Sequence, residues 1–107
     1  MSLTTDALNE LFYYKNGKLY NKVTRNPRAL KDAEVGYTNN DGYRVVGINR
    51  KYYYVHRIIY MMHHGHIPTR LEIDHIDRDK SNNNISNLRP VTSQENKFNQ
   101  KKQGTTF

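Results

Sequence analysis

The sequence predicts an α+β fold: an N-terminal helix and small antiparallel sheet, then a second unit reading strand, loop, strand, helix. Three observations predict it. Two tight-turn signals, Asn16-Gly17 and Asn49-Arg50, each lie between short tyrosine-rich runs. Val55, Ile58, Ile59 and Met62 recur at helical spacing. Beyond Gly65, two short runs (Leu71 to Ile76 and Leu88 to Thr92) flank an asparagine-rich loop and precede a polar stretch with helical character.

Leu3 to Tyr13 reads as a helix capped by Thr4 or Thr5, with Asp6 in its first turn and Leu8, Leu11 and Phe12 on one face. Asn16-Gly17 predicts a hairpin, because both central residues of such a turn need positive φ. Arg25 to Lys31 holds Pro27 and three basic side chains and reads as an exposed loop. A turn at Asn39-Asn40-Asp41-Gly42 precedes two strands, Tyr43 to Asn49 and Lys51 to Val55. Nine tyrosines and no tryptophan suit half-buried antiparallel strands with wet edges. Val55 to His64 is a helix stopped by Gly65, with Pro68 confirming the break. Leu71 to Ile76 and Leu88 to Thr92 are strands around the polar loop Asp77 to Ser86, with Pro90 confining its strand to an edge or bulge. Ser93 to Lys102 is a helix that Ser93 caps and whose first turn holds Asn96. The expected division is residues 1–54 as helix plus strands, then 55–102 as the second unit and 103–107 as a frayed tail.

Composition narrows the function classes. Seventeen Lys and Arg against ten Asp and Glu give a net charge of +7 on 107 residues. That charge attracts polyanions, since each neutralised phosphate releases condensed counterions. No basic amphipathic helix with a broad apolar face appears, and no apolar run approaches the roughly 18–20 residues that span a bilayer, so no membrane partner is expected. With no signal pattern at the N-terminus, an intracellular, cytoplasmic protein is the expectation. The absence of cysteine excludes disulfides, a thiol nucleophile and thiolate zinc sites. Any metal must bind to histidine, carboxylate or amide oxygen.

The chemistry concentrates between Glu72 and Gln100. Asp74-His75 closes the first strand of the unit and Asn96 sits on the helix that returns to it. An acid oxygen and an amide oxygen together make a hard-oxygen site, suited to one divalent cation, Mg2+ or Mn2+. Histidine is the side chain whose ordinary pKa suits removing a proton from attacking water near neutral pH. A bound cation would stabilise the departing 3′ oxygen of a phosphodiester. Neighbouring strand residues point to opposite faces, so Asp74 and His75 share a site only where the strand ends or twists.

The run Asp74-His75-Ile76-Asp77, then Lys80, Asn82-Asn83, Asn87-Leu88-Arg89, Val91-Thr92, Glu95-Asn96 and Asn99, resembles the HNH nucleases of phage and intron homing enzymes. Gly42-Tyr43-Arg44, Val55-His56-Arg57-Ile58 and Gly65-His66-Ile67-Pro68 are similar to the lead-in of those enzymes, and the resemblance spans residues 35–100. It implies a ββα-metal core over residues 55–102 and the cutting of double-stranded DNA, by a nick or a double-strand break, to 3′-hydroxyl and 5′-phosphate ends. It implies His75 as general base and Asn87, twelve positions on, as the middle letter whose amide ties the loop to backbone and orients His75. Asn96 stands where many relatives have the final histidine, so the motif is His-Asn-Asn, with Asp74 and Asn96 as the metal ligands of the homing-enzyme branch. No other cofactor is implied.

Several features admit plainer readings. Asp77, Asp79 and Ser81 imitate the start of a calcium loop, but Asn82 stands where that loop needs glycine and Leu88 where it needs glutamate. Asn82, Asn83 and Asn84 read as turn formers. His63, His64 and His66 read as surface or helix-capping residues, and His56 as a histidine packed beneath the site. Tyr52, Tyr53 and Tyr54 read mainly as strand and core residues. Arg25, Arg28, Lys31, Arg44, Arg50 and Lys51 are the candidates for DNA backbone contact, with Lys97, Lys101 and Lys102 on the last helix and Arg89 as a phosphate clamp. The rival functions are a catalytically silent DNA-binding module on the same fold and a nonspecific or RNA-directed nuclease.

Overall fold

The computed structural model describes residues 4–67 and 70–95. Helix α1 spans Thr5–Leu11, and Thr4 caps it by accepting the Ala7 N–H on its hydroxyl. The helix is shorter than its apolar spacing suggests. Phe12 turns extended because Asn21 captures it as a strand partner, so Phe12 is buried from β1 (Phe12–Lys15) rather than from the helix. β1 pairs with β2 (Lys18–Asn21) across Asn16-Gly17, whose φ values of 51° and 82° are those the hairpin turn requires.

A three-stranded antiparallel sheet follows in the order β3 (Tyr37–Thr38), β4 (Arg44–Ile48), β5 (Lys51–Tyr54). The β4–β5 turn at Asn49-Arg50 has positive φ at both residues, 51° and 68°. Strand β3 is too short to leave a periodic signal. It is set beside β4 by Gly36, at φ 88°, where any Cβ would collide with the Val45 carbonyl oxygen.

Helix α2 occupies Val55–His64, as its spacing predicts, and buries Ile58 and Ile59. Gly65 ends it in the left-handed region, donating its N–H to the Met61 carbonyl. The Thr5 hydroxyl donates to the Gly65 carbonyl at 2.7 Å, which pins the start of α1 to the end of α2. β6 (Leu71–His75) and β7 (Leu88–Thr92) form a separate antiparallel ladder with Pro90 opposite Ile73. A two-stranded ladder has only edge strands, where proline is tolerated. The intervening loop closes with an unanticipated 3-10 turn, Ile85–Asn87.

The helix after β7 is capped by Thr92, not Ser93. Thr92 Oγ1 accepts the Glu95 N–H while Glu95 Oε1 accepts the Thr92 N–H, a reciprocal box that needs a glutamate three residues on. Residues 93–95 are helical. Pro68, the remainder of the expected helix with Asn96, Lys97, Lys101 and Lys102, and the tail 103–107 lie outside the described residues. One core joins Leu8, Phe12 and Leu19 to Ile58, Ile59, Ile73 and Leu88, so it runs across residue 54 without a break. Among the described residues no helix is long and apolar enough to cross a membrane.

Candidate active site

β6 ends at His75, and the alternation along it sets two neighbours on different faces. Ile73 and His75 are buried, whereas Glu72 and Asp74 are half-buried. His75 is 4% exposed and sits against two other rings. Its ring centroid is 4.6 Å from that of His56 and 6.2 Å from that of Tyr43. Tyr43 stacks on His56 at 5.6 Å, and Tyr54 lies 5.4 Å from His56. The Nε2 of His75 meets the side-chain oxygen of Asn83 at 2.7 Å, and Asn83 is itself 2% exposed.

Burial drives the His56 imidazole down to about 3, helped by the nearby charges of His75 and Arg57 and opposed by a hydrogen bond to the Ile73 backbone. His56 is therefore neutral at physiological pH. Its Nδ1 is buried and has no hydrogen-bond partner among the described residues. The Tyr43 hydroxyl is raised by burial first and then by Tyr54, Asp74, Asp41 and Glu72. Lys80 lies over the Tyr43 ring at 4.7 Å and donates to the Asp41 carbonyl at 2.8 Å.

The loop after β6 is built around Asn87. Its Oδ1 accepts the Asp77 N–H at 3.0 Å, and its Nδ2 donates to Asp77 Oδ1 and to the Asn82 carbonyl. Its own carbonyl accepts the Ile76 N–H, immediately after His75. Asp77 and Asp79 serve the loop as acceptors. Asp77 takes bonds from Asp79 N–H and Asn82 Nδ2, and Asp79 takes both the N–H and the hydroxyl of Ser81. Those donors, with Asn82 the largest influence on Asp77 and Ser81 on Asp79, lower both carboxyls. On its far side the loop rests on the first hairpin: the Tyr14 hydroxyl accepts the Ile85 N–H at 3.1 Å.

Asp74 faces Arg89 across the ladder, with 3.2 Å between Oδ2 and the guanidinium. Its carboxylate is a hard-oxygen donor of the kind Mg2+ or Mn2+ takes. Among the described residues no three His, Asp or Glu side chains converge as a complete metal site, and the expected second ligand, Asn96, lies outside them.

The basic candidates divide. Arg25 is half-buried and tied to the fold, with Nε on Asn21 Oδ1 at 2.9 Å, a nitrogen on the Gly47 carbonyl and its guanidinium over the Phe12 ring. Arg44 donates to the Val35 and Gly36 carbonyls and pairs with Glu34. Arg28, Lys31, Arg50 and Lys51 are exposed. Three contributors lie in the family-like runs, but nothing local in the sequence assigns them a role at the site. Asn83 is one of three successive asparagines, Tyr43 reads as an ordinary strand residue, and the position of Lys80 over Tyr43 depends on a turn nearly forty residues earlier in the chain.

Comparison with known proteins follows the same geometry. Residues 53–98 match the family described as HNH endonuclease. An uncharacterized HNH endonuclease of Acanthamoeba polyphaga mimivirus is 50% identical over 46 residues, which cover 42% of this chain and 25% of that protein. The fold is similar to that in the structure titled "DNA binding and cleavage by the HNH homing endonuclease I-HmuI", with a TM-score of 0.63 and 29% identity over 90% of this chain and 55% of that one. The chain thus spans about a quarter of the curated relative and about half of the structural neighbour.

Proposed function

We propose, from the match of residues 53–98 to the HNH endonuclease family, that this chain acts as a metal-dependent endonuclease that hydrolyses phosphodiester bonds in double-stranded DNA. The observation that carries the reading is the burial of His75 at the end of β6, packed against His56 and held on Asn83, directly after the acid Asp74.

In this reading His75 takes the proton of the attacking water. Asn87 keeps the loop closed, so the imidazole does not drift from the scissile phosphate. Asp74 and Asn96 would hold one Mg2+ or Mn2+, which when bound supplies Lewis-acid stabilisation of the leaving 3′ oxygen. The products are 3′-hydroxyl and 5′-phosphate ends. Exposed Arg28, Lys31, Arg50 and Lys51 contact the DNA backbone, and Arg89, once it leaves Asp74, clamps a phosphate. Arg25 and Arg44 shape the loops that present them.

Supercoiled plasmid incubated with Mg2+, Mn2+ or EDTA tests this. Wild type should nick with metal and not with EDTA, and His75→Ala should slow nicking by about a hundredfold or more. Equal cutting by His75→Ala would remove the proposed base.

A further inference from the structure

We infer that Asn83 is a positioning residue that fixes which nitrogen of His75 carries the proton, leaving Nδ1 as the basic atom. The inference rests on the reading of His75 as general base. An amide oxygen accepts hydrogen bonds and cannot donate them, so the 2.7 Å contact between Asn83 Oδ1 and His75 Nε2 requires a hydrogen on Nε2. A neutral imidazole has only one N–H, and its lone pair is then on Nδ1.

The contact is built to hold. Both residues are buried, at 4% and 2% exposure, so water does not compete for the bond. The His56 ring, 4.6 Å away, and the Tyr43 ring, 6.2 Å away, restrain rotation of the imidazole. Asn83 is delivered from both sides. Asn87 Nδ2 holds the Asn82 carbonyl just before it, and Asn82 Oδ1 holds the Asn84 amide just after it. Orientation of His75 thus reaches Asn87 through Asn83; the direct touch on the ring is made by Asn83.

The test is the tautomer itself, read by long-range proton–nitrogen correlation on the full chain with labelled histidine, at about pH 8, where an ordinary histidine is neutral. His75→Gln identifies the His75 signals among those of the five histidines. Wild type should show a protonated Nε2 and a bare Nδ1 at His75. Asn83→Ala should mix the two tautomers and lower kcat by about ten- to a hundredfold with little change in KM. Asn83→Asp, which keeps an acceptor, should restore the wild-type tautomer. A protonated Nδ1 in wild type, or an unchanged pattern in Asn83→Ala, overturns the inference. If Asn83→Ala does not fold, wild type and Asn83→Asp still decide it, since a bare Nε2 in either contradicts the assigned bond. The spectrum does not depend on DNA cutting. The expected tautomer in a chain that never cuts DNA would defeat the nuclease reading and leave this one standing.

Discussion

Arg89 and Asp74 are directly opposite each other in the β6–β7 ladder, and the guanidinium bonds the carboxylate through two nitrogens, at 3.2 and 3.3 Å. The proposed metal ligand is therefore already neutralised by the proposed phosphate clamp. A cation and an arginine cannot both own Asp74 Oδ2, so the two proposed roles compete until DNA supplies a second anion.

Arg89→Ala should therefore tighten metal binding while weakening DNA binding. A partly exposed pair contributes about 0.5–1 kcal/mol, so the Mn2+ dissociation constant should fall about two- to fivefold in calorimetry without DNA. A weaker metal site in Arg89→Ala would show that the pair helps to shape the ligand instead of competing for it.

Asn87→Ala should loosen the loop more than any single exposed substitution. It strips partners from the Asp77 N–H, Asp77 Oδ1 and the Asn82 carbonyl at once. The expected loss is about 2–3 kcal/mol in denaturant unfolding. A loss below about 0.5 kcal/mol would mean that water replaces the asparagine without cost.

Stability should fall with acid because of His56. Its folded value is depressed to about 3 from 6.5, so between those limits the unfolded chain binds a proton that the folded one refuses. The contribution is complete above 6.5 and declines as pH drops toward 3, by at most about 1.4 kcal/mol per pH unit. Melts between pH 7 and 4 should show the decline, and His56→Phe should flatten it. Asp77 and Asp79, lowered from an ordinary 3.8, lose their contributions only at more acid pH, as it falls through their folded values. An equal slope in His56→Phe would assign the acid sensitivity elsewhere.

Replacing Arg50 and Lys51 by glutamine should reduce the slope of log affinity against log salt by about 0.9 for each phosphate that is no longer neutralised. Both side chains are exposed, so melting should barely move. An unaltered salt slope would place the DNA surface elsewhere on the chain.

Much of the fold is legible in the sequence because its punctuation is local. Asn16-Gly17, Asn49-Arg50 and Gly65 impose their φ values whatever surrounds them. The period of Val55, Ile58 and Ile59 marks a buried helix face without help from other segments. The site is less legible. Asn82, Asn83 and Asn84 are identical in type, yet only Asn83 reaches the imidazole, and that choice depends on where Asn87 and Tyr14 clamp the loop. Arg25 and Arg44 read as surface charge because nothing in a sequence reveals which backbone carbonyls will point at them. Phe12 reads as the end of a helix because its strand partner, Asn21, is nine residues away.

The Tyr14 hydroxyl under the loop makes the first hairpin a foundation for the chemistry proposed for the second half of the chain. Modular swaps that transplant only residues 53–98 onto a foreign scaffold would leave Ile85 without its outside partner and Ile59 without Leu8 and Phe12 to pack on. Grafting between relatives should therefore carry the amino-terminal helix and hairpin as part of the same cassette. In this protein the portable unit is wider than the motif that identifies it.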